Sequence, residues 1–64
     1  MNIGDEVKFQ RWLDIFVASL VDNHGVPGDT AALYRTERRK VARDYYAMNW
    51  SATNAAGAES ILIR

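Results

Sequence analysis

Residues 5–21, DEVKFQRWLDIFVASLV, place Phe9, Trp12, Leu13, Phe16, Val17 and Leu20 three or four residues apart, or side by side, without a gap. On a helix of 3.6 residues per turn, all six fall on one stripe. The spacing predicts a helix over about 5–22, with Arg11, Asp14 and Ala18 on its back and Ile15 off the stripe. Asp5 and Glu6 suit the positive end of the helix dipole, Asn2 or Gly4 stands where a cap is needed, and Gly25 offers a left-handed stop. This stripe governs everything else. Fully burying one large apolar side chain is worth about 1.5–3 kcal/mol, so a fold of this chain must supply cover for six of them.

The next segment supplies part of that cover. HGVPGD, residues 24–29, is turn chemistry, with Pro27 pushing Val26 towards an extended backbone and Asp29 or Thr30 ready to cap a second helix. That helix is expected over about 30–50, antiparallel to the first because the connection is short. Taken as continuous, it turns Tyr34, Val41, Tyr45 and Met48 inward, with Thr30 beside them. Arg35, Arg39, Arg43, Tyr46 and Trp50 lie on the opposite face. Lys40 with Asp44, and Glu37 with Lys40, have the spacing of ion pairs worth about 0.2–0.5 kcal/mol each. Four inward groups do not match six. The remaining cover comes either from residues 51–64, SATNAAGAESILIR, or from a second copy of the chain. The tail, with its Ile61-Leu62-Ile63 plug, is open to three fates: a docked short helix, a strand added to a partner, or disorder. The expected fold is all-α: an antiparallel helical hairpin of two long helices plus a short C-terminal element, pairing as a dimeric four-helix bundle.

Size and composition narrow the chemistry. A 64-residue chain makes a single helical domain, 1–64, and a domain this small hides only about 60% of the surface its unfolded chain exposes. With no cysteine and one histidine, disulfides, thiolate metal sites and histidine-rich metal clusters are unavailable. His24 lies in the expected turn, GVPG lacks the Lys-Ser/Thr of a phosphate-binding loop, and the Asp5-Glu6 pair is explained by the helix dipole. The expectation is a non-enzymatic protein with no cofactor and no small-molecule substrate. No apolar run approaches the ~18 residues of a membrane span, and no signal-peptide pattern opens the chain, so a cytoplasmic protein is expected.

What remains is binding. YRTERRKVARDYYAMNW, residues 34–50, gathers five bases and four aromatics. Charge divides along the chain: two bases against five acids up to residue 34, six against three afterwards. The two halves can attract each other, or the second can meet a partner. On a continuous helix, Arg35, Arg39 and Arg43 form a row about 12 Å long that can follow phosphates, with Tyr46 and Trp50 placed to stack on bases. The segment LVDNHGVPGDTAALYRTER resembles the helix-turn-helix of bacterial repressors, which implies Thr30, Arg35 and Arg38 on a recognition helix. It departs from that pattern in the late position of Leu33-Tyr34 and in Pro27 at the usual serine place. Zero net charge argues against strong duplex binding. Arg, Tyr and Trp are also the residue types enriched at protein–protein hot spots. In kind, a short cysteine-free chain rich in Ala and Arg resembles accessory proteins of phages and other mobile elements. The first expectation is therefore a protein-binding regulator or inhibitor, acting on a host complex through Arg35, Arg39, Arg43, Tyr46 and Trp50. A DNA- or RNA-binding regulator using the same face is the alternative.

Overall fold

The first stripe folds as its spacing requires. In the computed structural model, which describes residues 3–63, α1 spans Ile3–His24. Phe9, Leu13, Phe16 and Leu20 are fully buried, and Trp12 and Val17 are packed against them. Gly4 therefore lies within the helix, and Asn2 lies outside the described residues. Gly25 takes the left-handed conformation expected of it (φ +65°), and the Val26 amide turns back to donate to the Leu20 carbonyl at 3.0 Å.

The second helix is not one rod. The expected helix over 30–50 is divided into α2 (Gly28–Ala32), a 3-10 turn at Leu33–Arg35, a bend at 36–38, and α3 (Arg39–Ala47). Pro27 stands at the start of α2 in place of Asp29 or Thr30, its carbonyl accepting from the Ala31 amide at 2.9 Å. At the bend, the Thr36 and Arg38 amides both close on the Leu33 carbonyl, at 3.1 and 2.8 Å. This break re-phases the helix that follows. α3 turns Ala42, Tyr45 and Tyr46 towards the core, whereas Val41 and Met48, expected inward, are 37% and 63% exposed.

Two consecutive end signals then reverse the chain. Asn49 is left-handed (φ 64°), the Trp50 amide reaches the Tyr45 carbonyl at 3.1 Å, and the Asn49 amide reaches the Tyr46 carbonyl at 3.1 Å. This is a Schellman motif, completed by the usual apolar contact: the Tyr45 and Trp50 rings meet edge to face, 5.1 Å apart. Ser51 caps the next helix, its Oγ accepting from the Asn54 amide at 3.2 Å.

That helix, α4 (Ala52–Leu62), resolves the fate of the tail. It supplies the missing cover, since α1 packs against α4 more extensively than against any other element. Ala52, Ala55, Ala56, Glu59 and Ser60 are its buried residues, on a three-four spacing. The short side chains let the α4 backbone lie close over the aromatic stripe, so bulk on one helix is answered by its absence on the other. His24 lies near the same seam, where a methyl group added at Gly57 would touch its ring at 3.7 Å. No helix among the described residues is long and apolar enough to cross a membrane.

Candidate partner-binding groove

The residues expected to form one exposed face separate into two groups. The arginines are drawn into the molecule's own ion pairs. Arg35 Nη1 lies 2.7 Å from Asp14 Oδ1, and Arg43 and Arg39 approach the two oxygens of Glu6 at 2.7 and 3.8 Å. The Arg43 and Arg39 guanidiniums also lie over the Phe9 ring, 4.3 and 5.1 Å from its centroid. They cover an aromatic face while their charge meets a carboxylate. The Arg35 guanidinium holds the Asp14 carboxyl below its ordinary range. The i, i+4, i+8 spacing read along residues 35–43 is thus split across the bend and aligned with acids of α1. Lys40 pairs with Asp44 at 3.2 Å.

Tyr46 and Trp50 have a different setting. Tyr46 packs edge to face on Phe9 (5.3 Å) and on Trp12 (5.7 Å). Trp50 is 40% exposed. The two line an open groove of about 450 Å³ with Trp12, Ala47, Asn49 and Ser51. The spacing of Trp12 places it on the core stripe, and no sequence signal marks it as groove-lining. It is half-buried, and the Schellman turn carries the chain across its edge, where the Trp12 indole N–H donates to the Trp50 carbonyl at 2.8 Å. Stacking on Phe16 (5.2 Å) and Phe9 (6.2 Å) fixes the Trp12 ring from beneath.

A second, more apolar groove of about 300 Å³ lies between α3 and α4, lined by Val41, Asp44, Tyr45, Met48, Glu59 and Leu62. Beneath it sits a polar cluster that spacing alone did not reveal. The buried Glu59 carboxylate accepts hydrogen bonds from the Tyr34 hydroxyl and, at 3.1 Å, from the Tyr45 hydroxyl. Arg38 donates to the Tyr34 oxygen at 3.3 Å. Burial, and then the Glu59 carboxylate, push the Tyr34 hydroxyl up to about 12. The Tyr45 hydroxyl is raised by the same causes. Each member of this cluster bonds another, which ties α4 to both the 3-10 turn and α3.

The molecule defined by these elements is an all-helical protein in which α1 packs on α4. Comparison with protein-family models, curated proteins and solved structures finds no match.

Proposed function

We propose that the chain is a small non-enzymatic regulator or inhibitor that binds another protein, in a cytoplasmic setting, through the groove of Trp12, Tyr46 and Trp50. The observation that carries this reading is Trp50. A large aromatic side chain is left 40% exposed beside two half-buried rings, at the rim of an open, pre-formed groove. Aromatic anchors in such settings dominate binding energetics. In the same reading, Arg39 and Arg43 hold α3 against α1 through Glu6, Arg35 holds the 3-10 turn through Asp14, and the three arginines add to the partner-binding surface. For a nucleic-acid partner, those same ion pairs neutralise three of the cations that phosphate binding would draw on. Self-association into a dimer would use the other side, where Met48, Ile61 and Leu62 are each more than 60% exposed.

The test is affinity capture from host-cell lysate, with and without nuclease, comparing the native chain with Trp50→Ala of unchanged helicity. Capture that survives nuclease and is lost in the variant supports the reading. Capture abolished by nuclease moves the assignment to nucleic acid, and capture indifferent to Trp50 removes the groove from it.

A further inference from the structure

The break in the second helix is not dictated by its own residues. We propose that Thr36-Glu37-Arg38 is a hinge through which two copies of the chain exchange the arm formed by α3 and α4, so that each α4 covers the α1 of the other copy.

The bend depends on the docking of that arm. Its three side chains are exposed, and none is a glycine or a proline. All three residue types are compatible with a helix. Thr36 nevertheless stands at φ −128°, ψ −88° and Arg38 at φ −106°, ψ 19°, both away from helical values. The Leu33 carbonyl accepts from the Thr36 and Arg38 amides together. Arg38 donates to the Tyr34 oxygen at 3.3 Å, and Tyr34 donates in turn to the buried Glu59 of α4. The bend is thus tied to α4. With α4 undocked, local preference runs to one helix from α2 through α3, in which Tyr34 and Arg38 remain neighbours four residues apart.

The hinge divides the chain at the place where exchange costs least. The principal packing, α1 on α4, crosses it. So do the Phe9–Tyr46 ring contact, the Glu6–Arg43 ion pair and the Tyr34–Glu59 hydrogen bond. A straight helix over residues 28–47 is about 30 Å long and carries α3 and α4 away from their own α1. The surface matched to the uncovered stripe is then α4 of a second copy, which brings the same buried Ala52, Ala55, Ala56 and Ser60. Every contact that crosses the hinge is remade between copies. Only the hinge backbone changes, and only the freedom of two separate chains is lost. Concentration therefore sets the balance.

Exchange also alters the groove. Trp12 lies before the hinge, whereas Tyr46 and Trp50 lie after it. In the exchanged dimer each groove takes Trp12 from one copy and Tyr46 and Trp50 from the other. The dimer carries two such grooves, and a partner with two binding segments gains avidity. Association through the exposed Met48, Ile61 and Leu62 is a separate route, which leaves both hinges bent and each groove within one chain.

The experiment uses the full chain, which has no cysteine of its own. His24→Cys puts a thiol on α1 and Gly57→Cys puts one on α4, at a seam where a Cβ at position 57 lies 3.7 Å from the His24 ring. The two single variants are unfolded in urea together, refolded at millimolar concentration, diluted, and treated with a short bis-maleimide. Exchange is expected to give a covalent dimer holding one copy of each variant, read by mass spectrometry, with no covalent dimer from either variant alone. Light scattering on the unlabelled chain measures the dimerisation constant. Thr36→Ala should raise that constant about fivefold and Glu37→Gly should lower it about fivefold, because two hinges straighten per dimer and both side chains are exposed. The inference is overturned if the native chain and Thr36→Ala both stay monomeric at millimolar concentration. It is equally overturned if dimers form without the mixed cross-link, which assigns them to the exposed face, or if Glu37→Gly dimerises as well as the native chain.

Discussion

Glu59 is a carboxylate at 5% exposure in a domain with little core to spare, and it is tolerated because two tyrosine hydroxyls donate to it. Glu59→Gln replaces one acceptor oxygen with a donor and leaves a tyrosine without its partner. It is expected to lower the unfolding free energy by about 1–3 kcal/mol, measured by urea denaturation. The same cluster sets an alkaline limit. In the unfolded chain Tyr34 ionises near its ordinary value of 10.0, whereas in the folded chain it is pushed up to about 12. Below pH 10 both states keep the proton, and the group makes no difference to stability. Between 10 and 12 the unfolded chain releases it first, so stability falls as pH climbs, by roughly 2–3 kcal/mol at the end of that window. Urea midpoints taken at rising pH should show this decline, and Tyr34→Phe should reduce it, with the raised Tyr45 hydroxyl accounting for what remains. None of this was visible in residue types alone. Glu59 sits in a stretch of small residues with no base three or four positions away, and its donors come from positions 25 and 14 residues away.

At the scale of elements, α1 was legible because a single uninterrupted period fixed both its existence and its buried face. Its expected bounds of 5–22 fall inside the observed Ile3–His24. The second helix was misread for a definite reason. Its break at Thr36-Glu37-Arg38 contains neither glycine nor proline, and each of those residues is compatible with a helix. Extrapolating one phase across it sent Val41 and Met48 to the wrong side. The end of α3 shows the same difficulty, because the left-handed position is held by Asn49, which a reader searching for glycine passes over. Asn49→Gly is therefore expected to be neutral or to stabilise by up to about 1 kcal/mol. Asn49→Val should cost about 1–3 kcal/mol, since a β-branched residue resists positive φ. Thermal unfolding of the two variants tests the pair. Of the groove lining, Tyr46 and Trp50 stand out by residue type, but the outward face expected for Tyr46 is not the one it takes, since it packs on Phe9 and Trp12. Trp12 was not legible, because its position on the core stripe gave no sign that the chain would return across its edge.

For the whole molecule, the division of charge along the sequence has an internal use: acids of α1 face arginines of the second half. These pairs are at least a third exposed, so each contributes little, and molar salt should lower the melting temperature only slightly. Cover for the apolar stripe carries far more. Removing residues 51–64 strips α4 from α1 and is expected to abolish the cooperative unfolding transition, with dye-accessible apolar surface appearing in its place.

Because α4 is what shelters α1, the two halves of the principal packing surface are made at different times. A ribosome adding about 5–20 residues per second completes α1 roughly two to eight seconds before α4. Throughout that interval Phe9, Leu13, Phe16 and Leu20 lack the cover of α4, although Phe9 meets Tyr46 and Phe16 meets Tyr34 without it. Closure of the core then waits on α4 rather than advancing helix by helix.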